Sequence, residues 1–160
     1  MSKDYQIFVV LHNIRSVYNV GSIFRTADAA GVSKIYLGGY TPTPDKDPKI
    51  SKTALGAQNS VPWEQCKQTW RLLEELSAGD GKDGFQIVAL EQTKDSIDYR
   101  KFKPRFPLVL ILGNEAKGLS KNILKYASIK TAIPMYGRKE SLNVAVAFGV
   151  SIYEIIKLKR

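Results

Sequence analysis

Two strands that each break at a glycine-bearing polar turn constrain this chain more than any other feature. The apolar run Leu108–Leu112 passes directly into Gly113-Asn114-Glu115-Ala116-Lys117-Gly118-Leu119-Ser120. A second run, ending Ile133-Pro134-Met135, passes into Tyr136-Gly137-Arg138-Lys139-Glu140-Ser141-Leu142-Asn143 and then a long apolar helix. Strand, bend and helix in that order gather backbone N–H and C=O groups at the carboxyl ends of strands, where open α/β sheets hold their ligands. Polar backbone atoms on such bends suit an adenine and a ribose. The pattern therefore predicts a small-molecule cofactor site.

The rest of the chain supplies the frame. Apolar runs at 6–11, 34–39, 85–91, 108–112 and 129–134 read as strands. Val20, Ile23, Phe24 and Ala27 recur at helical spacing, with Gly31 placed as a C-cap. Further helices are expected at 64–76 and 142–157, and the glycine turn 79–84 ends the first of these. Residues 41–62, with Pro42, Pro44, Pro48 and Pro62, read as loop apart from a turn near 53–57. Strands alternating with helices predict an α/β fold: one parallel sheet flanked by helices on both faces, in a single domain over 1–160.

Composition narrows the function classes. One Cys (Cys66) and one His (His12) exclude an intrachain disulfide and a zinc cluster. Cys66, between Trp63 and Trp70, reads as helix packing, and His12 as a strand-end residue. No apolar run reaches the ~20 residues of a membrane span, and the first residues carry no signal core, so a soluble, cytoplasmic protein is expected. Neither Gly-x-Gly-x-x-Gly nor a P-loop pattern occurs. Twenty-four Lys and Arg against fifteen Asp and Glu leave +9. That excess is either a solubilising surface or the footprint of a polyanion. Clustering of Arg100, Lys101, Lys103 and Arg105 leans toward nucleic acid.

A third segment, Asn19-Val20-Gly21-Ser22-Ile23-Phe24-Arg25-Thr26-Ala27, sets a capping Asn before an amphipathic helix. Gly21 lies one turn before Arg25. Either the guanidinium lies over the bare glycine and joins the helix start in an anion site suited to a phosphodiester, or Arg25 is solvated and Gly21 serves close packing.

Taken together, the three segments resemble the SpoU (TrmH) branch of the SPOUT RNA methyltransferases. Motif one is Asn19–Ala27, motif two Leu112–Ser120, and motif three Ile133-Pro134-Met135 with Glu140–Ala147. Order and spacing agree across about residues 6–158. The resemblance implies S-adenosyl-L-methionine-dependent 2′-O-methylation of a ribose in tRNA or rRNA, without a metal, and a C-terminal trefoil knot. It implies cofactor contacts at Gly113, Ile133, Met135 and Leu142, with Leu90 lining the adenine pocket. It places Asn19, Arg25, Glu115, Ser141 and Asn143 around the methyl acceptor, Glu115 serving either chemistry or the hold on the knot turn. It also implies a homodimer through the C-terminal helix, whose apolar residues exceed what one sheet face can cover. Motif one begins so early that no separate RNA-binding extension is expected before it. Motifs two and three look more like the guanosine-ribose relatives than the wobble-position ones. Tyr136 and Arg138 border motif three and face either RNA or a partner subunit. The competing readings are a non-catalytic RNA-binding module that keeps the fold, and an α/β enzyme acting on a metabolite.

Overall fold

Unbroken apolar runs form strands covered on both faces, and two of them make the centre of this protein. The computed structural model describes residues 5–79 and 84–157. Its sheet comprises β1 (Ile7–His12), β2 (Lys34–Gly38), β3 (Trp63–Cys66), β4 (Gln86–Leu90), β5 (Ile97–Asp98), β6 (Leu108–Leu112) and β7 (Ile129–Ala132). The order across it is β3-β2-β1-β6-β4-β7-β5, with every pairing parallel. β1 and β6 pair in register from Ile7 opposite Leu108 to Leu11 opposite Leu112.

The helices are α1 (Val17–Ala30), α2 (Ser51–Ala54), α3 (Ala57–Ser60), α4 (Thr69–Ala78), α5 (Lys121–Leu124) and α6 (Val144–Ile156). Strand alternation divides the core between two layers. Ile7, Val9, Leu11, Leu108 and Leu110 pack with Val20, Ile23, Phe24, Phe148 and Ile152, from α1 and α6. Val10, Val109 and Ile111 pack with Leu73 and Ile123, from α4 and α5, on the other side. From β6 the chain passes along the α4 side through α5 to β7. It then returns past the tips of β6 and β4 and buries α6 against α1 on the opposite face. Among the described residues no helix is long and apolar enough to cross a membrane.

Four expectations change. Residues 63–66 open not a helix but an edge strand, Ile35 pairing with Trp63; the helix starts at Thr69. Cys66 therefore lies on a strand, where burial pushes its thiol pKa up. The 41–62 stretch holds a 3-10 turn at Pro48–Ile50 followed by α2 and α3. The cap of α1 is Ser16, whose hydroxyl accepts from the Asn19 N–H, so Asn19 sits inside the helix. The expected turn at 79–84 lies largely outside the described residues.

Gly21 also has a different use from an Arg25 platform. A Cβ there would lie 2.0 Å from Thr53 Oγ1 and 2.3 Å from the Ile50 carbonyl oxygen. The bare position lets residues 50–54 pack against α1, and Thr53 Oγ1 donates to the Tyr18 carbonyl. Arg25 is exposed on the helix.

Candidate functional site

β6, β4 and β7 are neighbours, so their carboxyl tips deliver residues 113–118, 90–92 and 133–143 to one place. These segments enclose a cavity of about 870 Å³, within the range of small-molecule sites. Leu90, Gly113, Ile133, Met135 and Leu142 line it, as do Asn19, Glu115, Ser141 and Asn143. Arg25 does not. Six residues beyond Asn19 on a helix is about 9 Å along the axis and about 120° around it. The chain's own pocket and its motif-one cation are thus separated.

The floor is the 113–118 turn. Gly113 is buried, and a Cβ on it would lie 2.6 Å from the Gly118 carbonyl carbon and 2.7 Å from the Leu119 nitrogen. The turn closes when the Gly118 N–H donates to the Asn114 carbonyl, 2.9 Å, with Gly118 at φ 64°. Asn114 Oδ1 accepts from the N–H groups of Ala116 and Lys117, both 2.9 Å. Its Nδ2 donates to the Asn13 carbonyl and the Tyr40 hydroxyl.

The Glu115 carboxylate receives the N–H groups of Arg15 and Ser16, both at 3.0 Å, and Asn19 Nδ2 at 3.1 Å. Partial burial opposes its ionisation. The N–H groups of Arg15 and Ser16 with the Asn19 amide outweigh that and hold its pKa below the usual carboxylate value. Asn19 Oδ1 in turn accepts from Asn143 Nδ2 at 3.0 Å, and Asn143 Oδ1 caps α6 through Ala145 and Val146. One polar chain thus ties the turn after β6 to the starts of α1 and α6. Of the two roles open for Glu115, the geometry favours holding the turn.

This arrangement sets a pH dependence. A carboxyl whose folded pKa is depressed stabilises the fold fully above its unfolded pKa, and that contribution disappears as pH falls through the folded value. Glu115→Gln should lower the melting temperature at pH 7, and the gap to wild type should narrow below about pH 4. Thermal melts from pH 7 to pH 3 check this; a gap independent of pH would contradict it.

Besides the Asn143–Asn19 bond, two contacts tether the loop 133–143. Gln92 Nε2 donates to the Ile133 carbonyl, 3.4 Å, and Arg100 Nη2 donates to the Tyr136 hydroxyl, 2.9 Å. Arg100 also grips Asp98 with Nε at 3.0 Å and Nη2 at 2.6 Å, and its side-chain hydrogen bonds hold the Asp98 carboxyl pKa at about 2. Arg100 is therefore committed to a carboxylate, whereas Lys101 and Lys103 face solvent. Tyr136 is 82% exposed.

His12 is spoken for as well. The Asn13 side-chain carbonyl accepts from Tyr40 N–H, which orients its amide toward His12 Nε2. The ring proton then lies on Nδ1 and is donated to Thr69 Oγ1 at 2.8 Å. Burial lowers the His12 pKa.

Sequence reasoning missed Glu91 and Gln92, which line the cavity. The one available signal was an acidic residue directly after an apolar run.

Comparison with known proteins accords with this geometry. Residues 6–153 match the model of the SpoU rRNA Methylase family. The chain is 36% identical over 152 residues to a tRNA (guanosine(18)-2′-O)-methyltransferase of Aquifex aeolicus, covering 95% of this chain and 69% of that protein. The AdoMet-bound rRNA methyltransferase of Sinorhizobium meliloti superposes with a TM-score of 0.83 at 32% identity, covering 96% of this chain and 56% of that one. A chain solved in work on 2-OH methylation of C/U34 on tRNA superposes at 0.83 with 26% identity, covering 98% of both chains. The chain spans only about half to two thirds of several of the relatives it matches.

Proposed function

The chain belongs to the SpoU rRNA methylase family, whose matched structures imply the knotted SPOUT path for its C-terminal segment, and from that premise we propose that it transfers a methyl group from S-adenosyl-L-methionine to a ribose 2′-hydroxyl in tRNA or rRNA. The observation that carries the reading is the convergence of two glycine bends and the β4 tip on one cavity.

The residues present fit the cofactor. Leu90, Ile133, Met135 and Leu142 give apolar walls for an adenine, and the bare Gly113 lets the 113–118 turn fold tightly onto β6 as the cavity floor. When bound, S-adenosyl-L-methionine supplies a methyl group already activated on a sulfonium, so the chain's task is mainly alignment. Glu115 makes a poor proton acceptor, because three N–H donors already bond its carboxylate and its pKa is lowered. Its part is to hold Asn19 and, through it, Asn143. Ser141, exposed at the cavity rim, orients the sugar with Asn143. A guanidinium keeps its proton in proteins, so Arg25 grips a phosphate and stabilises charge growing on the 2′ oxygen.

Arg25 does not line its own chain's cavity, so it serves the cavity of a second copy. Leu142, Val146, Val150 and Tyr153 form an exposed apolar stripe, 38–53% accessible, at the start of and along α6. Its level is marked by Gly149, where a Cβ would lie 3.9 Å from Thr26 Cγ2, next to Arg25. A homodimer closed through that stripe brings α1 to the partner's pocket. The 36% identity to the guanosine-ribose relative supports a guanosine ribose.

The test incubates the chain with tritiated cofactor and total RNA and maps ribose methylation with and without it. Label in a defined ribose is expected, with RNA binding that weakens steeply between low and moderate salt. RNA binding without cofactor binding would make the chain a non-catalytic module. Salt-independent turnover of a metabolite would replace the reading altogether.

A further inference from the structure

Glu91 leaves β4 at the cavity wall, between Leu90 and the 113–118 turn. Its backbone is fixed, since its N–H donates to the Thr131 carbonyl at 3.0 Å. Its side chain is half-buried rather than free in solvent. Oε2 accepts from the Leu119 N–H at 2.7 Å, and Oε1 takes the adjacent Gln92 N–H at 3.2 Å. A Cβ on Gly118 would lie 2.4 Å from Oε2, so the carboxylate occupies space that only a glycine leaves. An ionised carboxylate offers about four lone-pair sites, and these contacts fill two. Of the three acidic side chains on the wall, Glu115 is bound to α1 and Glu140 is exposed. Glu91 is the half-buried acceptor with capacity left.

We propose that Glu91 binds the ribose 2′,3′-diol of the adenosyl ligand, an inference that rests on the cofactor reading above. Two neighbouring hydroxyls present two donors, which a carboxylate can accept on separate oxygens, whereas a neutral amide has only one acceptor oxygen. An acid at the carboxyl tip of a parallel strand does the same for dinucleotide riboses in other open α/β sheets. With the adenine against Leu90, the next residue along the chain meets the sugar. The contact to Leu119 holds the carboxylate in place beforehand and couples ligand binding to closure of the turn.

Titration calorimetry with S-adenosylhomocysteine and its 2′-deoxy and 3′-deoxy forms tests this on wild type, Glu91→Gln and Glu91→Ala. Wild type should lose at least about tenfold affinity for one or both deoxy ligands. Glu91→Ala should bind the parent at least tenfold more weakly and no longer distinguish it from the deoxy forms, with Glu91→Gln between. Wild type that binds all three alike overturns the assignment, whatever the variants do. So does a Glu91→Ala protein weakened equally for parent and deoxy ligands, which would mark a brace for the turn only. Wild type that binds no S-adenosyl compound removes the cofactor reading and this inference with it.

Discussion

Gly113→Ala should leave a folded protein whose affinity for S-adenosylhomocysteine has fallen at least about 100-fold, or about 2.7 kcal/mol. The added methyl would meet the Gly118 carbonyl carbon at 2.6 Å and the Leu119 nitrogen at 2.7 Å. Both are backbone atoms, which have no rotamer by which to move aside. The turn must open, and opening it pulls Leu119 from Glu91 and strains the Asn114–Gly118 bridge. Overpacking of this kind costs about 1–3 kcal/mol of stability, which a domain of this size tolerates. The β6 residues before the turn are already buried on both faces, so the fold has its core without the turn. Calorimetry measures the affinity and a thermal melt the stability. Unchanged affinity would show that the ligand lies elsewhere.

The strands that line this site were legible for a simple reason. Burial on both faces leaves apolar runs such as Leu108–Leu112, which no surface constraint interrupts. β3 was not legible. It is an edge strand whose Glu64 and Gln65 are exposed, Glu64 pairing with Lys34, so Trp63-Glu64-Gln65-Cys66 has neither an apolar run nor a β-branched bias. The 41–62 segment misled through its prolines, although Pro48 only opens a 3-10 turn capped by Asp47. Gly21 shows a deeper limit. Its spacing to Arg25 is local and suggests a local explanation, but the space it leaves is filled by Ile50, Thr53 and Ala54, about thirty residues away in sequence. Ser16 was missed as the cap of α1 because Asn19 is an equally good capping type. Here the hydrogen bond of the Ser16 hydroxyl, not the preference, decides. The motifs mark the cavity well because its walls are backbone bends with demanding geometry. Glu91 escaped because it belongs to no motif and gains meaning only from Gly118 and Leu119 beside it.

Arg25→Ala should reduce methyl transfer about 100- to 1,000-fold, the usual cost of removing one donor to developing charge, with ligand affinity within about twofold of wild type. Arg25→Lys should recover little, because an ammonium lacks the planar fork that holds a phosphate bidentately. The split between turnover and affinity follows from position: Arg25 does not line the cavity of its own chain. A sharper form of the prediction mixes subunits. Pair an Arg25→Ala protomer, differently tagged, with a Gly113→Ala protomer. If the cation acts across the α6 interface, the Arg25→Ala pocket is intact and receives Arg25 from its partner, giving about half of wild-type activity per dimer. The other pocket lacks both its floor and its cation. If Arg25 serves its own chain, neither pocket is complete and the mixed dimer is as inactive as its parents. Sedimentation of wild type at micromolar concentration belongs to the same experiment, since a strict monomer leaves Arg25 with no second pocket to reach. Replacing Val146 and Val150 with serine should then lower activity in step with dimer dissociation, because each exposed valine lost from the stripe removes about 1–2 kcal/mol of apolar contact across the interface. Activity that survives in the separated subunits would return Arg25 to its own chain, and the α1 helix would have to move to bring it there.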